Sequence, residues 1–481
     1  MIDVFPFMGF TIAIFGLGRS GLSTARALVA SGADVWAWDD DETVRQRGLE
    51  HNVPIVDLYQ VDFSKTTTLV VSPGIPIDAP MPHPLVLRAR EAGCEVIGDA
   101  ELLVRAQRDA AYIGITGTNG KSTTTALIGH IMQTCGREAE VGGNIGTPCL
   151  ELEPLGAEGT YILEMSSYQL DLTVSITFDV GILLNISQDH LERHGGINGY
   201  IKAKEQIFHR QTQPRTAIIS IDDKYCEKIF QKLSAGNEQH IVPISGCKKV
   251  PGGIFVLNGL LIDDTEGDQK EIINLLEVAA LPGIHNHQNA AAAFAACKAA
   301  GVHPSVIQAC IRSYPGLAHR QELAAVIDGV VFVNDSKATN PEAAARALAC
   351  YKSIYWIVGG RPKDNRLEPC FEYLQNVCHV FLVGEAAKGF AITLQGKKGL
   401  TISKTISTAV IDAFDVAKKG KKKGAVVLLS PACSSFDQFN NFEERGDYFK
   451  EIIDTLNGKH SDPFDDLDDH VLHSYKETAG K

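Results

Sequence analysis

No apolar run in the sequence is long enough to span a bilayer, so no membrane insertion is expected. The opening stretch, M-I-D-V-F-P-F-M-G-F, lacks a basic n-region and runs straight into a structural motif, so no signal peptide is read there. There is no surplus of basic charge either. The formal charge of −13 argues against a nucleic-acid partner, which would need a basic face. It leaves room for an anionic small substrate, which needs only a local positive pocket. Eleven cysteines are scattered without C-x-x-C pairs or zinc spacing, and buried thiols in a reducing cytoplasm are the expectation.

With 481 residues, 44% hydrophobic and 21% charged, the chain is an ordinary globular sequence too long for one core. It is organised around Ala111 to Ala126, A-Y-I-G-I-T-G-T-N-G-K-S-T-T-T-A. Tyr112 to Ile115 reads as a buried strand, Gly117-Thr118-Asn119-Gly120 as the turn, and a helix starts near Lys121. Such a turn aims backbone N–H groups and a helix dipole at one point. Lys121 adds a cation, and Ser122 adds a hydroxyl where Mg²⁺ sits in nucleotide sites. This predicts a triphosphate cradle. It departs from the strict G-x-x-x-x-G-K-[ST] pattern, because Ile115 stands where the first glycine belongs.

Upstream, the predicted strand Thr11 to Phe15 is followed by Gly16-Leu17-Gly18-Arg19-Ser20-Gly21, a helix from about Leu22, and a strand ending at Asp39. That order suits a dinucleotide-type unit, with a diphosphate on the helix N-terminus and a ribose on Asp39. The same glycines equally serve tight helix–strand packing. A further strand ends in Ser72-Pro73-Gly74-Ile75-Pro76.

After the cradle come the cluster Gly142-Gly143-Asn144-Ile145-Gly146, a strand ending at Glu164, and another leading to Asp189-His190. Glu164 and His190 have the ligand chemistry that a phosphate-bound Mg²⁺ uses. The helix predicted over Tyr200 to Phe208 carries Lys202 and Lys204, and periodicity does not choose between them. Asn258-Gly259 marks a peripheral hairpin. Asn286 and Asn289 lie three apart on an Ala-rich helix. Past Gly316 a third α/β pattern begins, with polar loops at Asn334 to Thr339 and Ser430 to Ser435.

The fold class expected is therefore α/β in three domains. Residues 1–108 form a Rossmann-like domain and 109–315 a central P-loop-type mononucleotide-binding sheet. Residues 316–458 are Rossmann-like again, and 459–481 form a flexible acidic tail.

Taken together, G-T-N-G-K-S-T, G-G-N-I-G, E-M-S-S-Y-Q-L, the D-H pair, H-N-x-x-N, A-H-R and N-D-S-K-A-T-N-P resemble the Mur ligases of peptidoglycan synthesis. V-V-S-P-G-I-P and L-S-P-A-C-S-S-F-D-Q-F-N-N-F-E-E-R-G are similar to the branch that adds D-glutamate. The resemblance implies a cytoplasmic, monomeric ATP-dependent amide ligase whose substrates are UDP-N-acetylmuramoyl-L-alanine and D-glutamate. An acyl phosphate would form on the alanyl carboxylate and be attacked by the amine.

It also implies roles for particular residues. ATP would meet Gly117 to Thr123, with Asn286 and Asn289 on the adenine side, Asp335 on the ribose and Arg320 on the phosphates. Two Mg²⁺ ions are implied, one near Ser122 and Glu164, the other using His190 and a carbamylated Lys204. Asn144 would lie toward the reacting end, beside Lys121, Glu164, His190 and Lys204. Gly18, Arg19, Ser20, Asp39, Ser72 and Gly74 would hold the sugar nucleotide. Lys337, Thr339, Lys363, Ser435 and Phe436 would surround D-glutamate. An NAD-dependent oxidoreductase would leave the phosphate loop without a purpose, and a hydrolysing switch would leave the first glycine turn idle.

Overall fold

Three β-sheets, each flanked by helices, carry the chain in the computed structural model, which describes residues 1–362, 366–422 and 424–461. They fall into two compact units. The first comprises Met1–Leu257, Leu261–Ile272 and Gln288–Ile311, and the second comprises Asn258–Leu260, Ile273–His287 and the chain from Arg312 onward.

In the first unit, Asp34–Trp38, Thr11–Phe15, Thr68–Val71 and Glu95–Ile97 form a parallel sheet in that order. Thr11–Phe15 therefore has its successors on opposite sides, so the connection reverses direction at Gly16. The larger sheet repeats this arrangement. Ala111–Thr116 lies between Thr160–Glu164 and Val180–Leu183, with Ala139–Gly143 beyond the former and Thr216–Ser220 beyond the latter. Ligands in open parallel sheets bind at the carboxyl ends of strands where the order reverses. The two glycine turns occupy those two positions.

The strands are apolar without alternation because both faces are covered. All of Thr160–Glu164 and Val180–Leu183 is buried. Gly114 sits mid-strand for a packing reason: a Cβ there would come within 2.5 Å of Phe178 and 2.7 Å of Ile207. The Asn258-Gly259 hairpin forms as expected between Ile254–Leu257 and Leu260–Asp263, toward one edge of the sheet. Both of its turn residues have positive φ, +49° and +83°.

The second unit holds a seven-stranded sheet ordered Leu400–Lys404, Val377–Val383, Ile354–Gly359, Val426–Leu429, Val330–Asn334, Glu322–Ile327 and His460–Ser461. Its first five strands are parallel, and Glu322–Ile327 runs antiparallel to both of its neighbours, Val330–Asn334 and His460–Ser461. No helix among the described residues is long and apolar enough to cross a membrane.

Two expectations need correction. The first glycine turn ends sooner than Leu22: the helix is Arg19–Ala30, so Arg19 and Ser20 occupy its first turn. The lysine-bearing helix is Ile197–Glu205, continued by a 3₁₀ turn at Gln206–Phe208.

Within the first unit the two sheets are clasped by Glu101, whose side chain is fully buried. It accepts from the backbone N–H groups of Val174 and Ser175, from the Ser175 hydroxyl, and from Arg105 Nε at 2.9 Å. Burial alone would raise the Glu101 carboxyl, but the bonds from Ser175 and Val174 and the Arg105 charge hold it below its ordinary value. Its contribution is therefore complete above the unfolded pKa and is lost as pH falls through the folded one. Glu101→Gln is expected to cost about 3 kcal/mol at neutral pH. Chemical denaturation from pH 7 to pH 3 should show the gap between variant and wild type closing at the acid end.

Candidate active site

The phosphate loop is built by the backbone. Gly120 ends the turn at φ +85° and caps the helix Lys121–Thr134. Only glycine fits there, since a Cβ would come within 2.2 Å of Asn289 Oδ1. The loop is pinned from the next strand: Asn185 accepts the N–H of Thr118 through its carbonyl at 2.8 Å and that of Asn119 through Oδ1 at 2.9 Å. Asn185 Nδ2 donates to Asn119 and to Gln288 Oε1. Lys121 folds back so that Nζ donates to the carbonyls of Gly117 at 2.9 Å and Thr118 at 3.1 Å. Ser122 and Thr123 are buried in the first helical turn. Thr124 Oγ1 donates to Asn289 Oδ1 at 3.3 Å, which seats Asn289 against this helix.

Three ionisable side chains stand on neighbouring elements. Glu164 is 2% exposed; Asn144 Nδ2 donates to its Oε1 at 2.7 Å, while Oε2 is buried with no hydrogen-bond partner. A buried carboxylate oxygen left unpaired is costly unless a cation meets it. The chemistry of Glu164 thus suits a divalent cation. His190 takes a left-handed backbone, φ +50°, with its side chain half exposed and its Nε2 3.6 Å from Asp189.

Lys204 is 1% exposed, and its Nζ donates to Gly117 O at 2.8 Å and Thr116 Oγ1 at 3.3 Å. Burial, then the Lys121 charge, push its pKa well below that of an ordinary lysine. Burial therefore favours the neutral form of its amine. Lys202, the alternative on the same helix, is exposed.

At the first glycine turn the expected residues also converge. Asp39 Oδ2 accepts the Leu17 N–H at 2.7 Å, and Ser72 Oγ donates to Gly16 O at 2.8 Å. A Cβ on Gly21 would lie 1.8 Å from that same carbonyl, so tight packing accounts for part of the motif. Gly18 caps the helix that carries Arg19 and Ser20; Arg19 donates to Gly146 O, which ties this turn to the Gly142–Gly146 loop. Gly74 lies in the turn closed by Ile75 N to Ser72 O at 3.0 Å.

In the second unit, Asp335 is 4% exposed and accepts from Ser430 Oγ at 2.8 Å and the Gln321 N–H at 3.2 Å. Burial pushes its carboxyl up to about 7, against the opposing pull of Ser430 and Arg320. Arg320 has a buried Nε with no partner. Asn286 Nδ2 donates to Pro282 O at 2.7 Å, a bond back to the chain entering its own helix. Lys337 Nζ lies 3.9 Å above the Phe442 ring, and Thr339 N donates to Lys337 O. Ser435 is buried and Phe436 is 60% exposed. Lys363 lies outside the described residues.

Sequence reading missed Arg445, the residue that fastens these loops together. At 2% exposure it donates to Ser336 Oγ, Ser336 O and Cys433 O at 2.8–3.1 Å. It also missed Asn185 and Gln288, which brace the phosphate loop. Nothing in spacing distinguishes such residues from surface polar ones.

The chain belongs to the Mur ligase family: residues 115–297 match the Mur ligase middle domain and residues 10–98 the Mur ligase MurD-like N-terminal domain. More narrowly, it is similar over nearly its full length to proteins named UDP-N-acetylmuramoylalanine--D-glutamate ligase. The one from Rhodospirillum rubrum is 46% identical, covering 95% of this chain and 97% of its own. The one from Caulobacter vibrioides is 46% identical, covering 95% and 98%. Among solved structures, UDP-N-acetylmuramate-alanine ligase MurC from Thermotoga maritima matches with a TM-score of 0.55 at 16% identity, over 92% of this chain and 99% of that one. MurF from Acinetobacter baumannii matches at 0.54 and 20% identity, over 81% and 86%. At these identities the structural likeness speaks for the fold alone.

Because Asp335 is held protonated above its unfolded value of about 3.9, its contribution is complete below that value and is lost as pH rises through the folded one. Melting curves from pH 4 to 8 should fall less steeply with pH in Asp335→Asn than in wild type.

Proposed function

We propose that this protein is the ATP-dependent ligase that adds D-glutamate to UDP-N-acetylmuramoyl-L-alanine through an acyl phosphate, in peptidoglycan precursor synthesis. Similarity to the D-glutamate ligases over 95% of the chain supports the substrates. The structural observation that carries the chemistry is Glu164, whose unpaired buried Oε2 is presented at a strand end beside the phosphate loop.

A carboxylate attacking a triphosphate brings anions together, so charge neutralisation and alignment supply most of the rate. Lys121 leaves the loop carbonyls and meets the γ-phosphate, while the loop N–H groups hold its oxygens. Ser122 and Glu164 would hold one Mg²⁺, and His190 with Lys204 a second; when bound, these ions would neutralise phosphate charge. An ammonium has the wrong sign for that role. The Lys204 amine, in the neutral form that burial favours, attacks CO₂: an N–C bond forms as one C=O π bond opens onto oxygen, the ammonium proton passes to solvent water, and the carbamate oxygens become an anionic ligand. Asn144 orients Glu164 and faces the reacting end.

The first sheet's turn, Gly18, Arg19, Ser20, Asp39, Ser72 and Gly74, holds the sugar nucleotide, as residues 1–108. Residues 109–315 bind ATP, aided by Asn286, Asn289, Arg320 and Asp335. Residues 316–458 offer Lys337, Thr339, Lys363, Ser435 and Phe436 to D-glutamate. The enzyme works as a cytoplasmic monomer; eleven free cysteines, most of them buried, suit a reducing compartment.

The direct test offers UDP-N-acetylmuramoyl-L-alanine with a panel of D- and L-amino acids and records which is coupled, with ADP and phosphate released. Coupling of D-glutamate alone is expected; phosphate release that ignores both substrates would overturn the reading. Lys121→Ala should lower kcat by about 100-fold or more. For Lys204, ¹³C-bicarbonate should give a carbamate carbon signal in wild type that vanishes in Lys204→Ala, and activity should fall when CO₂ is stripped from the buffer.

A further inference from the structure

Beside the phosphate loop lies a hydrogen-bonded chain that the reaction above does not use. Ser167 Oγ is 2.9 Å from His194 Nε2, and His194 Nδ1 is 3.2 Å from Asp171 Oδ2. Serine, imidazole and carboxylate in that order form the arrangement of a nucleophilic triad. Burial argues against that use: Ser167 is 4% exposed and the His194 side chain 3%, so a substrate carbonyl has no approach. What the chain does accomplish is to fix an imidazole. The carboxylate can only accept, so Nδ1 carries a proton and donates to Asp171, while Nε2 pairs with the Ser167 hydroxyl.

The ring fixed in this way is the hub of an aromatic cluster. It stacks on Tyr168 at 5.4 Å and 23°, and meets Tyr200 at 5.4 Å and 54°. Tyr168 in turn contacts the His190 ring at 5.2 Å and carries the Arg193 guanidinium at 5.2 Å. Arg193 donates to the carbonyls of Ile75 and Ala79, in the loop after Ser72. Tyr200 places its hydroxyl 3.2 Å from Thr118 Oγ1 and its ring 4.7 Å beneath Lys204 Nζ. One imidazole therefore touches both tyrosines that brace His190, Thr118 and Lys204.

We propose that His194, clamped between Asp171 and Ser167, is a positioning residue for phosphoryl transfer, holding Tyr168 against His190 and Tyr200 against Thr118 and Lys204. It touches no substrate. The proposal rests on the roles given above to those three groups. Alignment is where such a residue acts, because small displacements of reacting groups cost rate far more than they cost binding.

The test uses the full chain and two variants. His194→Phe keeps a ring for both tyrosines but removes both hydrogen bonds. Asp171→Ala, at a partly exposed carboxylate, removes only the anchor. Expected is a fall in kcat of about 10- to 100-fold for His194→Phe and several-fold for Asp171→Ala, with each KM within about twofold of wild type. Adding Tyr200→Phe to His194→Phe should cost less than the two separate losses combined. A second readout does not depend on turnover: ¹⁵N-histidine spectra should show one imidazole fixed as the Nδ1–H tautomer, released in Asp171→Ala. Unchanged kcat in Asp171→Ala despite a released tautomer would overturn the proposal. So would an effect confined to KM, which would mark a substrate contact. Should His194→Phe fail to fold, Asp171→Ala alone decides. A wild-type chain that couples no amino acid would instead refute the functional reading, an outcome seen before any variant is made.

Discussion

A lysine amine buried to 1% exposure, bonded to a carbonyl and a hydroxyl and facing a second lysine, is the constraint on which this site turns. Burial and the neighbouring lysine both disfavour the charged ammonium there. Nearby, the opposite problem is set by Glu164, a buried carboxylate with one unsatisfied oxygen. The pocket disfavours a positive charge on its lysine and leaves a negative one uncompensated. Under the proposed reading, a divalent cation at Glu164 and a lysine converted to an anionic ligand would relieve both tensions.

That tension is sustainable because the scaffold around it is rigid. The phosphate loop admits no side chain at Gly120, is sewn to Asn185 by several hydrogen bonds, and follows a strand buried on both faces. The Glu101 clasp performs the equivalent task between the two sheets of the first unit, using one carboxylate to satisfy a loop that would otherwise expose its amides. In the second unit Arg445 plays the corresponding part with its donors turned on loop carbonyls. In each case a buried charged side chain serves the backbone rather than a substrate.

Much of this was legible beforehand, for identifiable reasons. Strands buried on both faces read as unbroken apolar runs, so Ala111–Thr116, Thr160–Glu164 and Val180–Leu183 were found nearly to the residue. The Asn258-Gly259 hairpin follows from the positive φ its turn requires. Strands such as Thr216–Ser220, His240–Ser245, Glu322–Ile327 and Leu400–Lys404 went unread. They carry prolines, charges or short mixed patterns, and pairing partners far along the chain decide them. The first helix was started too late because Arg19 and Ser20 read as part of a glycine turn, whereas Gly18 already caps the helix.

The sequence by itself determined the loop before Lys121, the glycine turns and the order of strand ends carrying Glu164 and His190, because these depend on local backbone freedom and on residue chemistry at fixed spacing. It also carried the family likeness. Only the tertiary structure decided that Lys204 is buried while Lys202 is exposed, that Glu164 keeps an unpaired oxygen, and that His194 is clamped between Ser167 and Asp171. Burial and hydrogen-bond satisfaction are properties of neighbours brought together by folding, and no spacing along one chain encodes them.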